Sequence, residues 1–334
     1  MADANDVLEQ AVNWLDEGKK VALATVIDTW GSSPRPVGSQ LAVDDAGAFV
    51  GSVSGGCIEG SVIGEALASI EDGENRILEF GVSDEQAWEV GLACGGDVKV
   101  LVERADDQAE LNKLSNERPV ATVTDLKSGK RSCVTPAEQS GELTLSQEML
   151  DNARTALRDD RSKIYEDGED SIFVQVFNPA LRCAIIGAVH ISQALVPMAQ
   201  IAGFDVTVID PRGAWATEAR FPDVTINDEW PDEALKEFKP DTRTAIVTLT
   251  HDPKLDDPAL QIALNSDAFY IGSLGSRRTH AKRLDRLAEA GFGEEDFARI
   301  HAPVGLDLGA TSPAEIAVTI LAEMVAAKHG KLES

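Results

Sequence analysis

Two cysteines lie in glycine-rich turns, Gly55-Gly56-Cys57-Ile58-Glu59-Gly60 and Gly91-Leu92-Ala93-Cys94-Gly95-Gly96. The first turn separates an apolar run at 48–53 from a helix-like run at 61–70. A thiol at a helix start, among backbone N–H groups, is favoured in its thiolate form because the dipole and the unpaired donors stabilise negative charge. The flanking Gly55, Gly56, Gly95 and Gly96 let another molecule approach the backbone closely. Two such thiols point to sulfur chemistry or to a soft metal centre. The alternative is that Cys57 and Cys94 are small buried residues packed beside tight turns.

A second group of residues suggests a nucleotide site, with a defect. The apolar run 183–186 leads into Gly187-Ala188-Val189-His190-Ile191-Ser192, and Asp210 follows Gly187 by 23 positions. This is the layout of a dinucleotide fingerprint, Gly-x-Gly-x-x-Gly with an acidic residue about 20 positions on for a ribose hydroxyl. Here Val189 and Ser192 replace the second and third glycines. Valine should obstruct the pyrophosphate, so a retained fold with impaired NAD(P) binding is expected. His190, within the turn, and His251, after a strand, stand where ligands meet such sheets.

An anion site is suggested at Tyr270-Ile271-Gly272-Ser273-Leu274-Gly275-Ser276-Arg277-Arg278. A strand end, glycines Gly272 and Gly275, hydroxyls Ser273 and Ser276, and a basic helix start can together hold a phosphate. An ion-paired helix start is the competing reading. The five histidines form no His-x-x-x-His or Glu-x-x-His pair, which argues against a fixed zinc or di-iron site. Neither a Gly-x-Ser-x-Gly nor a Walker sequence occurs.

The elements that position these residues follow from the hydrophobic pattern. A helix is expected over 6–18, strands over 21–28 and 76–80, and a hairpin around Asp44-Asp45-Ala46-Gly47. Strands are also expected at 98–102 and 172–177, a second hairpin around Lys127-Ser128-Gly129-Lys130, and a helix over 143–160. Phe177-Asn178-Pro179 breaks the pattern and marks a boundary. Beyond it, strands at 183–186, 206–209, 245–249 and 268–271 alternate with helices, which predicts a doubly wound, mostly parallel sheet. A last helix should begin with Ser312 as N-cap, Pro313 at its first position and Glu315 closing a capping box.

Composition fits a soluble α/β protein of 334 residues, enough for two cores: 43% of residues are hydrophobic and 26% charged. A net charge of −27 argues against nucleic-acid binding, because such a surface repels phosphate backbones. No apolar run approaches the ~20 residues that span a bilayer, and the acidic start lacks the features of a signal peptide. Four cysteines without a Cys-x-x-Cys pair fit a reducing cytoplasm.

In order and spacing, these motifs resemble the XdhC/CoxI family, accessory proteins of xanthine dehydrogenase and related molybdenum hydroxylases. The likeness runs through Gly31-Ser32-Ser33-Pro34-Arg35-Pro36-Val37-Gly38, both cysteine turns, Gly272-Ser273-Leu274-Gly275-Ser276-Arg277-Arg278, and Gly305-Leu306-Asp307-Leu308-Gly309-Ala310-Thr311-Ser312-Pro313-Ala314-Glu315. It implies a small N-terminal α/β domain, residues 1–178 with a hairpin-containing extension, joined to a Rossmann-like domain, residues 179–334. It also implies a chaperone that binds the molybdenum cofactor, protects it during sulfuration by a cysteine desulfurase, and delivers it to an apo molybdenum hydroxylase. A homodimer is compatible with this role. The softness of molybdenum suits Cys57 and Cys94 as ligands, and a thiol can carry sulfur as a persulfide. Gly55, Gly56, Glu59, Gly95 and Gly96 would then frame the cofactor, with its phosphate at the 272–278 turn. Gly187, His190 and Asp210 would line the Rossmann-like half. Two rivals come from other classes: an NAD(P)-dependent oxidoreductase, against which the broken glycine turn counts, and a redox sensor in which Cys57 and Cys94 form a regulatory disulfide.

Overall fold

Val21-Ala22-Leu23-Ala24-Thr25-Val26-Ile27 is buried at every position, the signature of a strand covered on both faces. The structure is a computed structural model and describes residues 4–31, 35–81, 96–167 and 170–332. The chain divides into two units, Met1–Pro179 and Ala180–Ser334.

In the first unit, α1 (Ala4–Asp16), β1 (Val21–Trp30), β2 (Gln40–Asp44), β3 (Phe49–Gly51), α2 (Glu59–Asp72), β4 (Arg76–Phe80) and β5 (Asp97–Arg104) follow in order. The strands form an antiparallel sheet, β3-β2-β1-β5-β4. The two-residue side-chain period divides β1 between two cores. Val21 and Leu23 join Val7, Leu8 and Trp14 of α1, while Ala22, Ala24 and Val26 join Val62, Ala66 and Ile70 of α2. Helix α2 is thereby fixed against the sheet, and so is the loop that enters it.

The second sheet of this unit contains β6 (Val120–Asp125), β7 (Arg131–Val134), β8 (Gln139–Gly141), β9 (Lys163–Asp167) and β10 (Asp170–Phe177), in the order β8-β7-β6-β10-β9. Helix α3 (Gln108–Asn116) precedes it. Helix α4 (Gln147–Asp159) packs Met149, Ala153 and Ala156 onto Val123 and Val174.

The second unit is built on six parallel strands in the order β13-β12-β11-β14-β15-β16. They are β11 (Leu181–Ile186), β12 (Phe204–Ile209), β13 (Thr225–Asn227), β14 (Thr244–Thr248), β15 (Tyr270–Ser273) and β16 (Ile300–His301). Numbered within the unit, this is the 3-2-1-4-5-6 order of a doubly wound nucleotide-binding sheet. Helices α5 (His190–Ile201) and α10 (Pro313–Lys328) cover one face. Helices α6 (Pro231–Phe238), α7 (Pro253–Leu264) and α8 (Arg277–Glu289) cover the other, and a short α9 (Glu294–Phe297) follows. Cys183 and Ile185 of β11 point to the first face, Ala184 and Ile186 to the second. Burial pushes the Cys183 thiol up to about 12, so this cysteine is an inert packing residue.

Helix α10 starts as its sequence predicts. Ser312 accepts from the Glu315 amide at 3.3 Å, the Glu315 carboxylate accepts from the Ser312 amide at 2.9 Å, and Pro313 opens the helix. The structure adds α3 and the strands β8, β9, β13 and β16, for which the hydrophobic pattern gave no signal. Among the described residues, no helix is long and apolar enough to cross a membrane.

Candidate functional site

The turn containing Cys57 is folded around a carboxylate. Glu59, the first residue of α2 and only 7% exposed, turns back under residues 52–56. Its Oε1 accepts from Ser52 Oγ (2.7 Å) and from the amides of Val53 (3.3 Å), Ser54 (2.9 Å) and Gly55 (3.1 Å). Its Oε2 accepts from Ser54 Oγ (2.5 Å) and the Gly56 amide (2.9 Å). Burial opposes the charge, but the hydroxyls of Ser54 and Ser52 and the Ser54 amide outweigh it and hold the Glu59 carboxyl down to about 2. So many donors converging on one group require Gly55 and Gly56 at φ +81° and +123°, where L side chains are strained.

Cys57 is exposed on this loop, two residues before the helix. The amides that the sequence pattern offers to a thiolate are already used. Those of Cys57 and Ile58 both donate to Ser54 Oγ, each at 3.1 Å. Glu59 likewise differs from its expected part as a cofactor contact, since its two oxygens receive six donors from the loop itself. It positions Cys57. A Cβ built on Gly56 meets nothing within 4 Å among the described residues, so the backbone beside the thiol is open to an approaching molecule. Arg35, from the neighbouring proline-rich motif, donates through Nε to Ser52 O at 3.2 Å and ties that motif to the base of the loop.

Cys94 and Gly95 lie outside the described residues. Gly96 is described and leads directly into β5. Among the described residues, no three His, Cys, Asp or Glu side chains are grouped so as to hold a metal ion. Any soft centre at Cys57 would therefore draw further ligands from the incoming molecule or from outside the described segments.

At the carboxyl edge of the parallel sheet, Gly187 sits at φ +107°, and a Cβ there would come within 2.6 Å of Thr250 Cγ2. Ser192 donates from Oγ to Gly187 O, which ties the turn to the first turn of α5. Val189 is the N-cap residue and packs against the core; His190 follows, exposed, as the first residue of α5. Asp210 is fully buried. Its carboxylate accepts from the Ala188 amide (2.8 Å), the Arg212 amide (3.0 Å), Arg212 Nε (2.9 Å) and Arg212 Nη2 (2.7 Å). Desolvation works against its charge, but the Arg212 guanidinium and the Ala188 amide prevail, and its pKa lies below the usual aspartate value. The oxygens that a ribose would engage are held by Arg212.

The 272–278 segment separates into two groups. Gly272 and Ser273 are buried in β15. A Cβ on Gly272 would lie 2.6 Å from Val304 Cγ2 and 2.7 Å from the Tyr270 hydroxyl, while Ser273 Oγ shares a 2.6 Å hydrogen bond with Thr248 Oγ1. Both serve packing. Gly275, at φ +144°, is buried, and Ser276 caps α8 by accepting from the Thr279 amide at 3.2 Å. Arg277 and Arg278 are exposed at the helix start. Arg278 also borders a cavity of about 320 Å³ between α7 and α8, lined further by His251, Asp256, Lys282 and the buried Arg283. Arg283 is absent from the residues that the motifs single out. A signal for it was present, because Arg283 stands one turn before the core residue Leu287 on the inward face of α8.

Known proteins share this architecture. Residues 183–324 match the model of the XdhC Rossmann domain, and residues 14–81 match that of the XdhC and CoxI family. The molybdenum cofactor insertion chaperone PaoD of Escherichia coli is 29% identical over 331 residues, covering 98% of this chain and 89% of that protein. A protein of Bacillus subtilis named as a probable xanthine dehydrogenase subunit is 28% identical over 324 residues, covering 93% of this chain and 94% of that one. A crystal structure described as a xanthine dehydrogenase from Bacillus halodurans superposes with a TM-score of 0.78 at 24% identity, covering 98% of this chain and 96% of that one. That likeness establishes a shared fold.

Proposed function

Starting from the XdhC and CoxI family, to which the chain belongs, we propose that this protein is a maturation chaperone for the molybdenum cofactor. It binds the cofactor as cargo and passes it to an apo molybdenum hydroxylase of the xanthine dehydrogenase or CO dehydrogenase type. The observation that carries this reading is the exposed Cys57 thiol on an open glycine backbone, held in place by Glu59. Sulfur is a soft ligand and suits a molybdenum–dithiolene centre, and the same atom can carry a persulfide reversibly. The relative named as a cofactor insertion chaperone, aligned over nearly the whole chain, supports the same role. In its full form the proposal pairs Cys94 with Cys57 in sulfur handling, with a cysteine desulfurase as sulfur donor. Arg277 and Arg278 are proposed as phosphate contacts, and the transfer takes place in the cytoplasm.

Within this role each residue has a task of its own. Cys57 meets the cargo, Gly55 and Gly56 keep side chains out of its path, and Glu59 keeps the loop from collapsing onto the thiol. The Asp210–Arg212 pair fills the ribose position of the Rossmann-like unit, which favours cofactor handling over hydride transfer from NAD(P)H. The test is to purify the parent and Cys57→Ser from cells that make the cofactor and to measure bound pterin and molybdenum by mass spectrometry. Pterin content should fall at least about tenfold, a loss of ~1.4 kcal/mol in binding. The melting temperature should hold, because an exposed side chain contributes little to stability. Equal pterin content in both proteins would refute the role given to Cys57, and absence of pterin from the parent would refute the chaperone reading.

A further inference from the structure

Arg283 is 2% exposed, yet its guanidinium is only partly satisfied. Nη2 donates to Leu274 O at 2.8 Å and lies 3.9 Å from Asp256 Oδ2, while Nε and Nη1 have no hydrogen-bond partner among the described residues. Asp256, 1% exposed, is similarly incomplete. Its Oδ1 accepts from Thr250 Oγ1 at 2.6 Å and from the Thr250 amide at 3.4 Å, while Oδ2 accepts no hydrogen bond from the described residues. Buried polar groups in native proteins are nearly always paired, so two unmet donors and one unmet acceptor side by side require an explanation. Both residues line the 320 Å³ cavity between α7 and α8.

The cavity's surroundings favour an anion. Arg278, Lys282, Arg283 and Arg286 line it against the carboxylates of Asp256 and Asp257, and Asp257 is bound by Arg286 through Nη2 at 3.0 Å. This leaves a local excess of two positive charges in a chain of net charge −27. The cavity lies past the carboxyl ends of β14 and β15, where ligands meet parallel sheets. His251 on its rim is held at φ +60°, a backbone strain typical of functional loops.

We propose that this cavity is an oxyanion site that takes a phosphate group retaining one proton. Phosphate oxygens accept from the unmet N–H groups of Arg283 and from the ammonium and guanidinium groups of Lys282 and Arg278. The remaining P–OH donates to Asp256 Oδ2. Sulfate has the same shape but no proton at neutral pH, so it would set an oxygen against the Asp256 carboxylate. The site does not rest on the role given to Cys57; it shares Arg278 with the phosphate contact proposed above and is defined by Arg283 and Asp256.

Calorimetric titration of the full chain at pH 7 and low salt, with inorganic phosphate and with sulfate, tests the proposal. Phosphate should bind at least about tenfold tighter than sulfate. Asp256→Asn, which turns an amide donor toward the ligand, should bring the two within about threefold. Arg283→Gln should cost at least about tenfold in phosphate affinity. Because Arg283 is buried and its loss can disturb folding, the exposed pair Arg278→Ala/Lys282→Ala provides a second measure. That variant should keep its melting temperature and lose about tenfold in phosphate affinity at low salt, and less at high salt. Methyl phosphate, compared with inorganic phosphate at about pH 5.5 where the ester keeps one proton, separates the sources of the group: comparable binding opens the site to a phosphomonoester on a larger molecule, and no binding restricts it to the free ion. Equal affinity for phosphate and sulfate in the parent, absence of phosphate binding, or an unchanged Arg278→Ala/Lys282→Ala variant would overturn the assignment.

Discussion

Glu59→Gln is the sharpest probe of how the Cys57 loop is held. The carboxylate receives four donors on one oxygen and two on the other. Glutamine keeps one acceptor but turns an NH2 group toward donors, so at least the Gly56 amide loses its partner. The magnitude follows from protonation. A carboxyl that falls from 4.5 to about 2 on folding contributes about 3 kcal/mol at neutral pH. Because the folded value is the lower one, this contribution is complete above pH 4.5 and is lost as pH falls through 2. For a unit of this size, about 3 kcal/mol corresponds to roughly 6–12 °C in melting temperature. The assay is denaturant unfolding of parent and variant across pH 2–7, with the rate of Cys57 alkylation followed in parallel. The stability gap should be widest at neutral pH and should narrow toward pH 2, while alkylation changes rate as the loop loosens. A gap below about 1 kcal/mol, or one that stays constant across that range, would refute the account of Glu59 as an ionised clamp.

Three further outcomes follow from close contacts. Gly187→Ala would place a methyl 2.6 Å from Thr250 Cγ2 at a left-handed φ and should cost about 1–3 kcal/mol in unfolding free energy. Gly272→Ala would drive Val304 and the Tyr270 hydroxyl apart, with a loss of about 1–3 kcal/mol visible in a denaturant midpoint. Tyr270→Phe removes the hydroxyl that donates to the buried Glu323 carboxylate, leaving the Gly305 amide at 2.8 Å as its remaining hydrogen-bond donor among the described residues. The expected cost is about 1–3 kcal/mol, measured in the same way.

Much of the fold was legible because its elements carry strong local patterns. The buried run of β1 and the βα alternation after residue 180 announce themselves through β-branched residues, and α10 through Ser312, Pro313 and Glu315. The elements that went unseen are short or weakly patterned. Strand β13 has three residues and β16 has two, and both are strands only because a neighbouring strand offers its edge. The candidate site was legible in its residue types and less so in their contacts. Cys57 and its glycines could be picked out by composition, but the reversal of Glu59 beneath the loop depends on backbone turns that no periodicity encodes. The same limit applies to Asp210, whose spacing matched a ribose ligand while Arg212, two residues on, claimed its oxygens. Arg283 lies in a run of basic residues, and its place one turn before Leu287 on the inward face of α8 sets it apart from Lys282.

The internal clamp also has a kinetic consequence. The left-handed turns at Gly55 and Gly56 restrict the most freely rotating residue type, and that loss of entropy is incurred when the chain folds. A molecule arriving at Cys57 therefore meets a surface already in shape and need not order the loop as it docks. Nor need its departure wait for the loop to refold, because all six donors to Glu59 come from the chain itself. A loop organised from within in this way favours rapid exchange in both directions, which suits the transfer role proposed above.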